Sequence, residues 1–280
     1  MKRGYLNLVR LYKFFFVIIS LVFGSTIFSY YPLTWEDLIY QMEKRMSWHA
    51  ARIETNTEVF DPSYFNLDEG TRLNPKKLPA RAYNQVIYWK DGEILIIETK
   101  NRKNQLLHFY YENNSDLLSI SLNDNRTFDT EEILPRELRF KSRYESHRSK
   151  ALEEFGIISK KVSYHLEDDN RVFLRIGNFK SGHFALINPK NYELYSLHSR
   201  IWSRKGAWLD LKIIFKNYEK YRWQLYPVIT EYFLDEKLFK RVTVTKIRTL
   251  STLPLKELKK QVLNLKQYQQ TTSLSNDYAL

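Results

Sequence analysis

Asp91 followed by Glu98-Thr99-Lys100 is the arrangement in this chain closest to a catalytic one: two carboxylates that could hold Mg²⁺, and a lysine two positions after the second. Such a site needs both carboxylates on one ion at about 2 Å. Asp91 belongs to an Asp-Gly turn and Glu98 falls seven residues on, in the strand that follows. At roughly 3.3 Å per residue the two stand about 23 Å apart and cannot share an ion. A further acid, Glu69 or Glu112, would have to be recruited, and no spacing points to either. The histidines, His49, His108, His147, His165, His183 and His198, are scattered singly, without H-x-H or H-E-x-x-H spacing, so the residues give no metal site. No glycine-rich phosphate loop and no G-x-S-x-G elbow occurs. Asp168 and Asp169 read as turn residues rather than as a catalytic pair. The chain therefore offers no catalytic residues and implies no cofactor, and the chemistry left to it is binding.

Composition narrows the kind of binding. The chain has 280 residues, 43% of them hydrophobic and 15% aromatic, enough for one substantial core. It has no cysteine, which removes disulfides, thiolate metal sites and thiol nucleophiles. The formal charge of +12 invites a nucleic-acid reading, but Lys2, Arg3, Arg10 and Lys13 fall in a segment without acids, and later basic residues alternate with acids along strands, as on a solvated sheet face. Arg136, Arg139, Lys141, Arg143 and Arg148 form a local basic cluster, with Glu137 and Glu145 among them, and read as a solvated loop. Nucleic acid is not expected as a partner.

The elements that must position a binding site are mostly strands. Residues 1–13 are basic and Phe14 to Gly24 are apolar, followed by small residues at Ser25, Thr26 and Ser29, so 1–29 read as a signal peptide or an N-terminal membrane anchor. Thr34 caps a helix with Glu36 and Asp37 in its first turn and an apolar stripe of Trp35, Leu38, Ile39, Met42 and Met46. Period-two alternation then gives a strand over 51–60, with Ile53, Thr55, Thr57 and Val59 on one side. Residues 61–80 carry Asp61-Pro62, Gly70, Asn74-Pro75 and Pro79 and read as irregular. Hairpins follow at 81–100, around Asp91-Gly92, and at 105–122. A helical turn at 130–134 and a short helix over 149–155, stopped by Gly156, precede further strands at 157–166, 171–176, 183–187 and 192–200. The last three strands, 207–216, 226–234 and 238–247, alternate cleanly, the latter two around Asp235-Glu236-Lys237. An amphipathic helix with Leu255, Leu258, Val262 and Leu265 comes next, and 269–280 read as a flexible tail.

The expected fold is mainly β with α: a curved antiparallel sheet, an unclosed barrel of about ten or eleven strands, covered by N- and C-terminal helices over 30–268. A curved sheet that its helices fill incompletely leaves an apolar hollow suited to acyl chains. Alternation places Trp35, Ile39, Met42, Ile87, Trp89, Phe109, Leu211, Ile213 and Phe215 at its lining.

The order of these elements carries a family likeness. The helix ends in Met46-Ser47-Trp48-His49-Ala50 and runs into a long strand. Later come Ile187-Asn188-Pro189-Lys190-Asn191-Tyr192-Glu193-Leu194, Ile214-Phe215-Lys216-Asn217-Tyr218 and Tyr226-Pro227-Val228-Ile229-Thr230-Glu231-Tyr232. Over about 34–255 this resembles the LolA/LolB-like superfamily of periplasmic lipoprotein carriers. The resemblance implies a hollow for lipoprotein acyl chains or phospholipid, export to the periplasm, a releasing partner at the inner membrane or a receiving one at the outer, and no catalysis. It also implies an arginine that keeps the lid closed, for which Arg81 is the nearest counterpart. Two other classes stay open: a structural or sensor-type envelope protein without lipid cargo, and, remotely, a PD-(D/E)xK-like nuclease built on Glu98 and Lys100.

Overall fold

The structure is a computed structural model. It describes residues 33–46, 49–60, 81–91, 94–113, 116–122, 145–202, 207–221, 224–251, 253–254, 257–258, 260–265 and 267. The expected leader, the irregular segment 61–80, the turn at 130–134 and the tail lie outside these residues.

Helix α1 (Trp35–Met46) leads into β1 (Ala50–Val59), followed by β2 (Arg81–Lys90), β3 (Ile94–Lys100), β4 (Leu106–Asn113) and β5 (Asp116–Ser121). After α2 (Glu145–Glu154) come β6 (Val162–Leu166), β7 (Val172–Asn178), β8 (His183–Ile187), β9 (Leu194–Trp202), β10 (Trp208–Tyr221), β11 (Gln224–Leu234) and β12 (Lys237–Leu250). All twelve strands form one antiparallel sheet in the order β5-β4-β3-β2-β1-β12-β11-β10-β9-β8-β7-β6. The chain thus makes two meanders, β1 to β5 and β6 to β12, and joins them where the last strand returns beside the first. β5 and β6, consecutive in sequence, stand at the two outer edges of the sheet. Twelve strands, each turned from its neighbour by roughly 20–25°, cannot stay flat, and the sheet is a curved, unclosed barrel.

Local chemistry explains the joints. The α1 start is a reciprocal cap: the Asp37 amide donates to Thr34 Oγ1 at 3.1 Å, and the Thr34 amide and hydroxyl donate to Asp37 Oδ2 at 3.2 and 2.8 Å. Asp235 and Glu236 both take positive φ, 45° and 66°, the conformation of a tight two-residue hairpin turn whose twist suits β11 and β12. Helix α2 ends at Gly156, where φ is +72° and an added Cβ would sit 2.6 Å from His183 Nδ1. There Phe155 O accepts hydrogen bonds from Ser199 Oγ and His183 Nδ1, both at 2.9 Å, which seats the helix end on β8 and β9.

Three points differ from the sequence expectation. The strands number twelve among the described residues. Helix α2 begins at Glu145, and Arg148, expected in a solvated loop, is 2% exposed. It sits three and four residues before the buried Ala151 and Leu152 and so shares their helix face. The other cations of that cluster lie outside the described residues. Finally, the helices at the two ends cover opposite faces of the sheet. α1 packs in the cluster of Leu211, Ile213 and Phe215, whereas Leu258 and Val262 of the C-terminal helical segment pack on Ile96, Phe109 and Ile120.

Candidate ligand-binding face

Paired residues in an antiparallel sheet project to one side, so the strand registers give the face beneath α1 row by row. One row runs Arg81, Val59, Lys240, Tyr232, Ile213, Leu197, Ala185, Ile176 and Val162. On β10 the same face carries Leu211 and Phe215, and on β11 Thr230 and Leu234, their register partners. Against this surface lie Trp35, Leu38, Ile39 and Met42 of α1, with exposures of 5%, 0%, 5% and 4%, while Tyr40 on the far side of the helix is 60% exposed. Lys160 Nζ sits 5.7 Å from the centre of the Trp35 ring at the helix start.

Toward the other half of the sheet the face is apolar again, in a second cluster of Ala51, Ile53, Ile87, Trp89, Ile97, Tyr110, Tyr226 and Val244. Beside the second cluster, and between it and the first at β1 and β2, runs a row of another character. Thr55 faces Gln85, Gln85 faces Thr99, Thr99 faces His108 and His108 faces Ser121, across β1 to β5. Thr55, Gln85, Thr99 and His108 are 4%, 3%, 0% and 1% exposed, so these polar groups are buried at positions where a sheet interior ordinarily places valine or isoleucine. Thr57 Oγ1 donates to Gln85 Oε1 at 3.2 Å, Gln85 Nε2 donates to Thr99 Oγ1 at 3.3 Å, and His108 Nε2 pairs with Ser119 Oγ at 2.9 Å. Burial pushes His108 down to about 4, which keeps its ring neutral at pH 7.

Of the residues expected to line a hollow, Trp35, Ile39, Met42, Leu211, Ile213 and Phe215 meet in the first cluster, and Ile87 and Trp89 belong to the second. Phe109 does not join them. It faces Glu98 and Ile120 on the opposite side of β4, under the C-terminal segment, and its neighbour Tyr110 takes the inner position opposite Ile97. β4 is buried on both faces from Leu107 to Tyr111, so hydrophobicity in the sequence carries no alternation there to read. Arg81 stands on the inner face at the start of β2, on the row of the buried Lys240, whose Nζ lies 4.5 Å from the Tyr232 ring centre.

The carboxylate that headed the enzyme reading is occupied structurally. Glu98 takes Lys100 Nζ at 2.6 Å and Gln261 Nε2 at 2.9 Å, on the outer face beneath the C-terminal segment. Asp91 sits at the far end of β3, where its amide donates to His49 O at 3.0 Å. Among the described residues no three of His, Asp and Glu gather as metal ligands would. The buried polar row itself went unread because each member looks like a tolerated polar residue in its own strand. Only Thr55 and Thr57 carried a signal, since they share the alternation phase of Ile53 and Val59.

No protein-family model and no curated protein matches the chain. Among solved structures it is similar to a LolA superfamily protein from Nitrosomonas europaea, with 12% identity, a TM-score of 0.44, and coverage of 80% of this chain and 96% of that one. It is also similar to a DUF1329 family protein from Desulfovibrio piger, with 10% identity, a TM-score of 0.38, and coverage of 78% and 92%. Both TM-scores lie below 0.5, so function has to come from this chain's own residues.

Proposed function

We propose that this protein is a non-catalytic carrier that holds lipid or lipoprotein acyl chains against the inner face of its sheet, with α1 as the exchangeable cover. The observation that supports it is the nature of that cover. The apolar surface of β10 to β12 is closed by one twelve-residue helix whose contact side chains are Trp35, Leu38, Ile39 and Met42. Burying four such side chains is worth on the order of 6–12 kcal/mol gross, and an acyl chain at about 0.8 kcal/mol per methylene supplies as much with roughly a dozen carbons. A chain of ordinary length can therefore replace the helix stripe in kind without opening the sheet. The work of such a carrier belongs in the periplasm, between an inner-membrane partner that loads it and an outer-membrane partner that unloads it. The apolar stretch before α1 is the leader such a location requires. Among the described residues no helix is long and apolar enough to cross a membrane.

The absence of cysteine from the chain makes a direct test available. A cysteine pair introduced between α1 and β11, the strand it contacts, locks the helix when oxidised. The reduced protein should take up a fluorescent fatty-acyl probe and the oxidised form should not, with uptake restored by reductant. Equal uptake in both states, or none in either, rejects α1 as the cover. One observation favours a cargo-free structural or sensor role instead: Ile187 and Leu197, in one cluster with residues of α1 and α2, are already 0% and 1% exposed. Native mass spectrometry of gently purified protein separates the two. Co-purified lipid supports the carrier, and a clean apo mass with no probe uptake supports the filled sheet.

A further inference from the structure

The buried polar row has a group to spare. Thr55 Oγ1 is shut away from solvent and has no hydrogen-bond partner, in a residue 4% exposed. An orphaned buried hydroxyl costs stability, and replacing it with a methyl group of the same shape would remove that cost. The pairing of β1 with β12 slips between Glu54 and Thr55, so that Glu54 faces Lys246 while Thr55 faces Val244, and the extra residue, Thr245, donates from Oγ1 to Glu54 O at 3.1 Å. The bulge therefore belongs to β12 and breaks the ladder on the strand beside Thr55. The neighbours of Thr55 along the row, Gln85, Thr99 and a neutral His108, are polar and uncharged.

We infer that Thr55, with the row it begins, is a subsite that donates a hydrogen bond to the uncharged carbonyl of an ester or amide linkage within an acyl ligand. This rests on the proposed acyl-binding function and specifies which part of the ligand sits where. At Thr55 and Gln85 the row lies between two apolar clusters, so the matching ligand has its polar linkage flanked by hydrocarbon on both sides, as in a molecule with more than one acyl chain. A free fatty acid fits worse. Its polar group is terminal, leaving one cluster without a partner, and it is an anion, which an uncharged buried seat does not compensate.

The test compares two probes on the full-length protein, a fluorescent diacylglycerol and its dialkyl ether analogue, which differ in the linkage carbonyls. Wild type should bind the ester more tightly by roughly five-fold, the worth of one hydrogen bond to a neutral acceptor. In Thr55→Val the ester-to-ether ratio should fall toward one, and in Thr55→Ser it should remain. Thr55→Val should also melt no lower than wild type without lipid, which shows that the hydroxyl serves the ligand and not the fold. If wild type binds both probes equally, or if Thr55→Val keeps the ester preference, the subsite is wrong and the carrier function stands. If wild type binds neither probe, the carrier function fails and the subsite with it.

Discussion

Two histidines make this protein acid-sensitive for reasons visible in their surroundings. His198 lies on the outer face, stacked on Phe184 with ring centres 4.1 Å apart, and hydrogen-bonds Ser196 at 3.0 Å. Burial, with Lys212 and His165 nearby, pushes it down to about 3, and burial pushes His108 to about 4. Both values lie below the ordinary one, so the unfolded chain takes up protons that the folded chain refuses, and stability falls as pH drops from about 6.5 toward 4. Each histidine contributes about 1.4 kcal/mol per pH unit across that window. His198→Phe keeps the stack and should flatten the loss by that slope in urea unfolding measured from pH 7 to pH 4. Glu231 acts in a lower window. Its burial alone would raise its pKa, but Lys216 at 2.5 Å and Arg241 at 2.9 Å outweigh that and hold it below the usual glutamate range. Its stabilisation is complete above that range and is lost as pH falls below it, through the depressed value of the folded state. Glu231→Gln should therefore lower the melting temperature at pH 7, by a margin that narrows as pH falls below the usual glutamate range.

At the scale of elements, α1 and α2 differ in how they are fastened. α2 is seated by the Phe155 carbonyl on Ser199 and His183, and its exit depends on Gly156. Gly156→Ala combines a left-handed backbone with a Cβ 2.6 Å from the His183 ring, and should cost about 2 kcal/mol of stability without changing how α1 exchanges. α1 is held by its stripe and by the Thr34 to Asp37 cap. Thr34→Ala removes about 1 kcal/mol from the helix start. If α1 is the cover, that change should speed amide exchange in residues 35–46, leave β1 unaffected, and quicken uptake of the acyl probe in stopped-flow mixing.

For the whole molecule, the decisive feature is that two meanders share one seam. β1 and β12 hold the centre of a sheet whose outermost strands are β5 and β6. Ile53, at 0% exposure, lies at this seam between Ile87 and Ile247. Hydrogen exchange of the intact protein should show the slowest amides in β1, β2, β11 and β12, with β5 and β6 opening first. Ile53→Val should cost about 1 kcal/mol and accelerate exchange in both meanders together. A loss confined to one of them would show that the halves unfold independently.

The sequence by itself determined most of the strands, the capped α1 and the tight turn at Asp235-Glu236, because each is set by interactions within a few residues: alternation, an Asp-Glu turn, a threonine three residues before an aspartate. It also placed Leu211, Ile213 and Phe215 on one face, since their strand alternates with charged neighbours. The return of β12 to β1, two hundred residues apart, was decided only by the tertiary structure, as was the face that each helix covers. Burial on both sides of β4 erases the periodicity that would have separated Phe109 from Tyr110. The row from Thr55 through Gln85 and Thr99 to His108 is likewise invisible in one dimension. Its members come from four strands, and only the register that pairs those strands sets their polar side chains in line.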